Sequence, residues 1–106
     1  MRQELDYKKL GLKIKDVRIH QGLTQELLAE IVGCNTSHIS NIENAHTRVG
    51  LNVLLAIANA LHTTIDYLLS DQYSNSDISL NSAILKALEQ CDNEKKERIL
   101  KMIELL

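Results

Sequence analysis

The amino-acid sequence predicts an all-α protein, a five-helix domain followed by a helical hairpin. Three observations carry that reading. Apolar residues recur at helical spacing in every patterned segment, and none alternates with a period of two. The 106 residues contain no Pro, so nothing forces the chain out of helix and four Gly supply the punctuation. Apolar residues make up 44% of the chain, with no Phe and no Trp, so the core must be assembled from Leu, Ile, Val and Ala side chains.

A first helix is predicted over 7–21, where Leu10, Ile14 and Val17 recur with lysines between them, and Gly22 stops it. Leu23 can fold back onto the core. Thr24 can cap a second helix over 25–32, with Glu26 favouring its positive end and Leu27, Leu28, Ile31 and Val32 as a broad apolar face. Gly33 ends that helix. A third follows over 36–44 with Asn35 as its N-cap. Only Ile39 and Ile42 in it are apolar. Thr36, Ser37, His38, Ser40 and Asn41 are short hydrogen-bonding residues of poor helix propensity, so this helix is written for its polar face rather than for its own stability.

A polar connection over 45–49 leads to a fourth helix near 51–61, built on Leu51, Leu54, Leu55, Ala58 and Leu61. Thr64 caps a short fifth helix carrying Ile65, Leu68 and Leu69. The expected division is a domain over 1–70, a polar linker over 71–78 and a tail over 79–106. In the tail, Leu80, Ile84, Ala87, Leu88 and Cys91 share one helical face, and Ile99, Met102, Ile103 and Leu106 share the next. Asp92 and Asn93 break the pattern between them and offer a cap.

Composition excludes several functions. Three tyrosines are too few aromatic faces for a single-strand stacking platform. No apolar run reaches the length of a membrane span, and Met1–Asp6 lacks the apolar stretch of a signal peptide. Cys34 and Cys91 are too far apart in sequence to suggest a disulfide framework, so a reducing cytoplasm is expected. Cys34 and His38 stand four apart, but two ligands do not make a metal site, and neither a metal nor another cofactor is expected. Ser37 and Ser40 lie near His38 without a carboxylate to orient it, and no Gly-rich loop cradles a phosphate. An enzyme is not expected. His20, His46 and His62 fall near helix ends, where a cation is favoured.

The informative segment runs from Gln25 to Glu43. Two short helices crossing steeply need a small side chain where they meet, and Ala29 supplies it. The tight turn between them needs a residue tolerant of positive φ, and Gly33 supplies it. Ile39 and Ile42 form a narrow stripe that anchors the second helix and leaves its opposite face free. Leu23-Thr24-Gln25, Leu28-Ala29, Gly33, Ile39-Ser40, Ile42-Glu43-Asn44, Ile57-Ala58-Asn59-Ala60-Leu61 and Ile65-Asp66-Tyr67-Leu68-Leu69 complete the pattern. Over about residues 10–70 the sequence resembles the helix-turn-helix domain of the phage-repressor/Cro-like (XRE) regulators. The resemblance implies a repressor-like five-helix fold whose third helix enters the major groove of duplex DNA.

It further implies that Thr36, Ser37 and Asn41 read bases and that Gln25, Asn35 and Asn44 contact the DNA backbone. His38, Ser40 and Arg48 are candidate additional contacts. Arg18 and Glu43 match a pair that forms an internal salt bridge in some members, so Arg18 is assigned a structural role first. Two positions depart from the pattern. Ala45 stands where the family often has Gly, and Val49-Gly50 where it often has Pro.

The net charge of −2 is unusual for a DNA partner. Lys8, Lys9, Lys13, Lys15 and Arg18 cluster early, and the remaining affinity must come from neutral donors at helix N-termini. The tail cannot bury both of its apolar faces by itself. Leu80, Ile84, Leu88, Ile99, Met102, Ile103 and Leu106 are therefore expected to pair with a second copy, giving a homodimeric repressor on a pseudo-palindromic operator. The alternative is a protein-interaction module, an antitoxin or co-regulator, whose tail binds a different protein. No membrane contact and no small-molecule ligand is expected.

Overall fold

A computed structural model describes residues 4–73 and 76–106. Residues 1–3 and positions 74 and 75 of the expected linker lie outside the described residues. Among those described, the chain forms seven α-helices, one 3₁₀ turn and no strand. Asp6 starts α1 (Tyr7–His20), its Oδ1 accepting from the Lys9 N–H at 3.0 Å. Thr24 Oγ1 accepts from the Leu27 N–H at 3.0 Å and starts α2 (Gln25–Val32). Asn35 Oδ1 accepts from the His38 N–H at 2.8 Å and starts α3 (Thr36–Glu43). These caps satisfy N–H groups that have no partner within their own helix. Then come α4 (Leu51–Ala60), α5 (Ile65–Leu68, capped by Thr64), the 3₁₀ turn Ser70–Gln72, α6 (Ser76–Glu89) and α7 (Asn93–Glu104, capped by Asp92).

The core is aliphatic, as the composition requires. Leu10, Ile14 and Val17 of α1 meet Leu28 and Ala29 of α2, Ile39 and Ile42 of α3, Leu54, Ile57, Ala58 and Leu61 around α4, and Tyr67 and Leu68 of α5. Gly11 of α1 touches the end of α3. A Cβ there would stand 2.4 Å from the Glu43 carbonyl oxygen and 2.6 Å from that of Ile42.

Four residues expected in the core lie at the surface. Leu27 and Ile31 of α2, and Leu51 and Leu55 of α4, are exposed. Each helix packs along one side, α2 on α3 and α4 around Leu28 and Ala29, and α4 on α2 and α5 through Leu54, Ile57 and Ala58. At 100° per residue, positions 27, 31, 51 and 55 turn past the edge of those contacts.

The expected linker is more ordered than its polarity suggested. Gln72 accepts from the Asp6 N–H at 2.8 Å and donates to the Asp6 carbonyl at 2.9 Å, tying the 3₁₀ turn to the start of α1. The next helix begins at Ser76, inside the range read as linker. Polar residues here bond to the body of the fold instead of to water. Ser82 Oγ donates to Ser70 Oγ at 2.9 Å, Ser70 Oγ donates to the Tyr67 carbonyl, and Tyr67 Oη donates to Glu89 Oε2 at 3.1 Å. No residue of α7 is buried.

Candidate nucleic-acid interface

The α2–turn–α3 unit is held at its joint by backbone geometry. Gly33 sits at φ +86°, and the Ala29 carbonyl accepts from the N–H groups of Gly33 and Cys34 at 2.8 and 3.0 Å. Only a residue free of Cβ strain takes that turn without cost. Ala29 is buried where α2 meets the core. Ile39, Ile42 and Glu43 point α3 inward. Ser37, Asn41 and Asn44 are exposed on the opposite side, with Ser40, Thr36 and His38 half-buried along its edges. Of the residues expected to read bases or touch the backbone, Ser37, Asn41 and Asn44 share one outward face with Thr36 at its edge, while Asn35 caps the helix and Gln25 stands half-buried on α2.

Their hydrogen bonds define what remains for a ligand. Asn35 Oδ1 accepts from both the His38 N–H and the Ser37 hydroxyl, at 2.8 and 2.9 Å, which leaves its amide as a donor. Asn44 Nδ2 donates to Ser40 Oγ at 3.4 Å, which leaves the Ser40 hydroxyl its own proton to donate. Asn41 makes no side-chain hydrogen bond of its own among the described residues, so its amide is free at both ends, the arrangement adenine requires.

Beneath this face lies a buried polar knot. Arg18 Nε donates to Glu43 Oε2 at 2.7 Å and Arg18 Nη2 to Glu43 Oε1 at 3.0 Å, while Nη1 donates to the Leu23 carbonyl at 2.8 Å. The two-pronged pair that the resemblance implied is formed, and with the Leu23 carbonyl it uses three of the five N–H donors of Arg18. Gln25 joins it, Nε2 donating to Glu43 Oε1 at 3.0 Å. One of its two amide protons is thereby spent inside the protein. The other, with the free N–H groups at the start of α2, stays available to an anion.

The early basic cluster contributes less charge than its sequence suggests. Lys13 is buried, 3.1 Å from Asp71 and over the Tyr67 ring at 4.8 Å. With Arg18 also paired, two of the five cations are internal. Arg48 is the only Lys or Arg between residues 18 and 86. It is exposed, with its guanidinium 5.5 Å from the Tyr7 ring centroid in the α3–α4 loop. That loop keeps a defined shape although Ala45 replaces Gly. Ala45 takes φ +60°, its N–H donates to the Ile42 carbonyl at 3.2 Å, and the His46 N–H donates to the Asn41 carbonyl at 2.8 Å, closing α3 in a Schellman motif. Cys34 and His38 acquire no further ligands. No group of three or more His, Cys, Asp or Glu converges among the described residues.

The sequence reading missed Gly11, Asp6, Gln72 and the Tyr67–Glu89 contact. Gly11 carried a signal, because a glycine inside a helical pattern costs about 1 kcal/mol against Ala and calls for a packing reason. Asp6 carried one too, as an N-cap residue three positions before Lys9, whereas the Gln72 and Tyr67–Glu89 contacts are long-range bonds without a local signature.

Comparison with known proteins bears on the same residues. A family model described as helix-turn-helix matches residues 14–68. The control protein C.SmaI of Serratia marcescens is 35% identical over 63 residues, covering 59% of this chain and 75% of that protein. The HTH-type transcriptional regulator ImmR of Bacillus subtilis is 31% identical over 88 residues, covering 80% of this chain and 69% of that one. Among solved structures, the restriction-modification controller protein C.AhdI of Aeromonas hydrophila superposes with a TM-score of 0.55 at 31% identity, over 57% of this chain and 92% of that one. Three longer curated regulators, one from Cereibacter sphaeroides and two from Rickettsia species, also match, and the chain spans 10%, 46% and 45% of their lengths. No helix among the described residues is long and apolar enough to cross a membrane. With its outward polar α3, its buried Arg18–Glu43 pair and its matched segment, the chain belongs to the helix-turn-helix family of DNA-binding transcription regulators, of the phage-repressor/Cro-like (XRE) type.

Proposed function

We propose that the protein is a repressor that binds a pseudo-palindromic operator as a homodimer in the cytoplasm, with α3 in the major groove. The observation that carries this reading is the division of α3 into an apolar anchor and an exposed polar face centred on Asn41. Asn41, Ser37 and Thr36 read base edges, with His38 and Ser40 at the margins. Asn35, Asn44, Gln25 and Arg48 hold phosphates. Two copies place their α3 helices ~34 Å apart, one turn of the duplex. Arg48 is exposed in the loop after α3, while Lys13 and Arg18 are held in internal pairs, so fewer counterions are released per protomer than the early basic cluster suggests and the salt dependence is correspondingly shallower.

The test is selection from random duplexes at two salt concentrations, followed by sequencing. An enriched palindrome is expected. Asn41→Ala then loses about 1–3 kcal/mol on the selected site and relaxes preference at one base position. No enrichment with folded protein overturns the reading. A second reading has one observation in its favour, the uncovered α7, which suits a module that binds another protein. Under that reading the tail binds a regulator or a toxin, and DNA contact is secondary.

A further inference from the structure

Helix α6 packs on its own domain by its polar side. Ser82 bonds to Ser70, Glu89 to Tyr67, and Lys86 stands 3.8 Å from Asp16, all on one side of the helix. Leu85 and Leu88 face the domain beside Tyr67 and Glu89, but Leu80 and Ile84 turn the other way. Leu80 and Ile84 are 62% and 49% exposed, and at 100° per residue they lie opposite Ser82 and Glu89. The stripe cannot turn inward without breaking those three contacts. Helix α7 adds Met102 and Ile103, 65% and 54% exposed, and Leu106 beyond them, with Ile99 half-buried. We propose that a second copy of this chain covers both stripes, so that α6 and α7 of two protomers close into a four-helix unit beside the DNA-binding domains.

Two features specify another copy as the occupant. The exposed aliphatic side chains of the stripes amount to roughly 600 Å² per chain before any rim is counted, close to the ~800 Å² per partner of a stable specific interface. The flanks of α7 carry a balanced set of charges, Glu94, Glu97 and Glu104 against Lys95, Lys96, Arg98 and Lys101. Identical balanced surfaces do not repel, whereas a partner of strong single charge would find nothing complementary here.

The inference rests on the dimer reading above, and the experiment separates the two. Sedimentation of the full chain is compared with that of the double variant Ile84→Glu, Ile103→Glu. Both sites are solvent-exposed, so helicity and Tm should hold, and circular dichroism checks this. The expected result is a wild-type dimer and a variant whose dimer Kd is weaker by about a hundredfold or more, with unchanged contact to a single half-site. If the folded variant remains a dimer, the surface is wrong and the dimer reading stands. If the wild type is a monomer at high concentration, both fail. The single variants Leu80→Glu and Met102→Glu repeat the comparison should the double variant not fold, and dimers as tight as wild type in both would also overturn the proposal.

Discussion

Replacing Gly11 by Ala pits two known effects against each other, and the geometry decides the sign. Inside a helix, Ala is favoured over Gly by about 1 kcal/mol, so a surface position would be stabilised. At Gly11 the new Cβ would stand 2.4 Å from one main-chain carbonyl oxygen, 2.6 Å from a second and 2.9 Å from the Glu43 carbonyl carbon. Ordinary carbon–oxygen contacts begin near ~3.3 Å, so α3 must retreat by nearly 1 Å. The obstacle is backbone, held by the Schellman closure at Ala45 and by the Arg18–Glu43 pair, and cannot swing aside as a side chain would. Overpacking of this kind costs about 1–3 kcal/mol or more, and the rigidity of the obstacle points to the upper part of that range. A net loss of about 2 kcal/mol then lowers Tm by roughly 10 °C in a domain this size. Thermal unfolding followed at 222 nm reads the result. Operator affinity, measured well below Tm, should fall as well, because the reading helix is displaced. A Gly11→Ala protein that melts higher than wild type would show that α1 and α3 do not meet as described.

Three further substitutions probe the same contacts. Ala45→Gly removes the left-handed strain at φ +60° and, after the added freedom of the unfolded chain, should stabilise by about 0.5–1 kcal/mol; an unchanged Tm would mean that the loop already relaxes. Glu43→Ala strands the buried Arg18 and should cost about 3–5 kcal/mol in urea unfolding, whereas the paired change Arg18→Met, Glu43→Leu should recover most of it. Burial, with the Glu89 carboxylate beside it, raises Tyr67 above its ordinary value of 10. A raised pKa gives stability that is whole below pH 10 and lost as pH rises further, so Tyr67 should ionise only as the fold opens. Absorbance at 295 nm should then show a late phase coincident with unfolding that Tyr67→Phe abolishes.

What the sequence made legible was local. Thr24, Asn35 and Thr64 announced their helices because an N-cap acts within three residues. The α2–α3 joint could be read because Ala29 and Gly33 each answer a steric demand at a fixed offset. Burial on the shoulders of α2 and α4 could not be read, because aliphatic spacing gives the direction of a helix face and not its width. Leu27, Ile31, Leu51 and Leu55 continue their stripes and yet end outside the contacts. The start of α6 was hidden for a related reason. Ser70 and Ser82 look like solvent residues in sequence, but they bond to each other within the fold. Lys13 likewise reads as a DNA-facing cation until Asp71, fifty-eight positions later, is seen to hold it.

The pose of the reading helix is set at its C-terminal end. Gly11 lets α1 come against the last carbonyls of α3, and two turns further along the same helix Arg18 grips Glu43, the final residue of α3. Gln25 ties the first residue of α2 to that same carboxylate. Three helices thus converge on Glu43, while the outward face carrying Asn41 takes part in none of these contacts. An ion pair buried this way adds little net stability against an apolar pair of equal size. Its directional bonds do something aliphatic packing cannot, fixing the rotation of α3 about its own axis as well as its distance from the core. The Arg18→Met, Glu43→Leu protein tests this directly. It should fold with nearly the wild-type Tm and yet discriminate less sharply among operator bases, because α3 is free to roll by a few degrees. Equal discrimination at equal stability would reduce the pair to a packing detail and leave Gly11 alone to orient the helix.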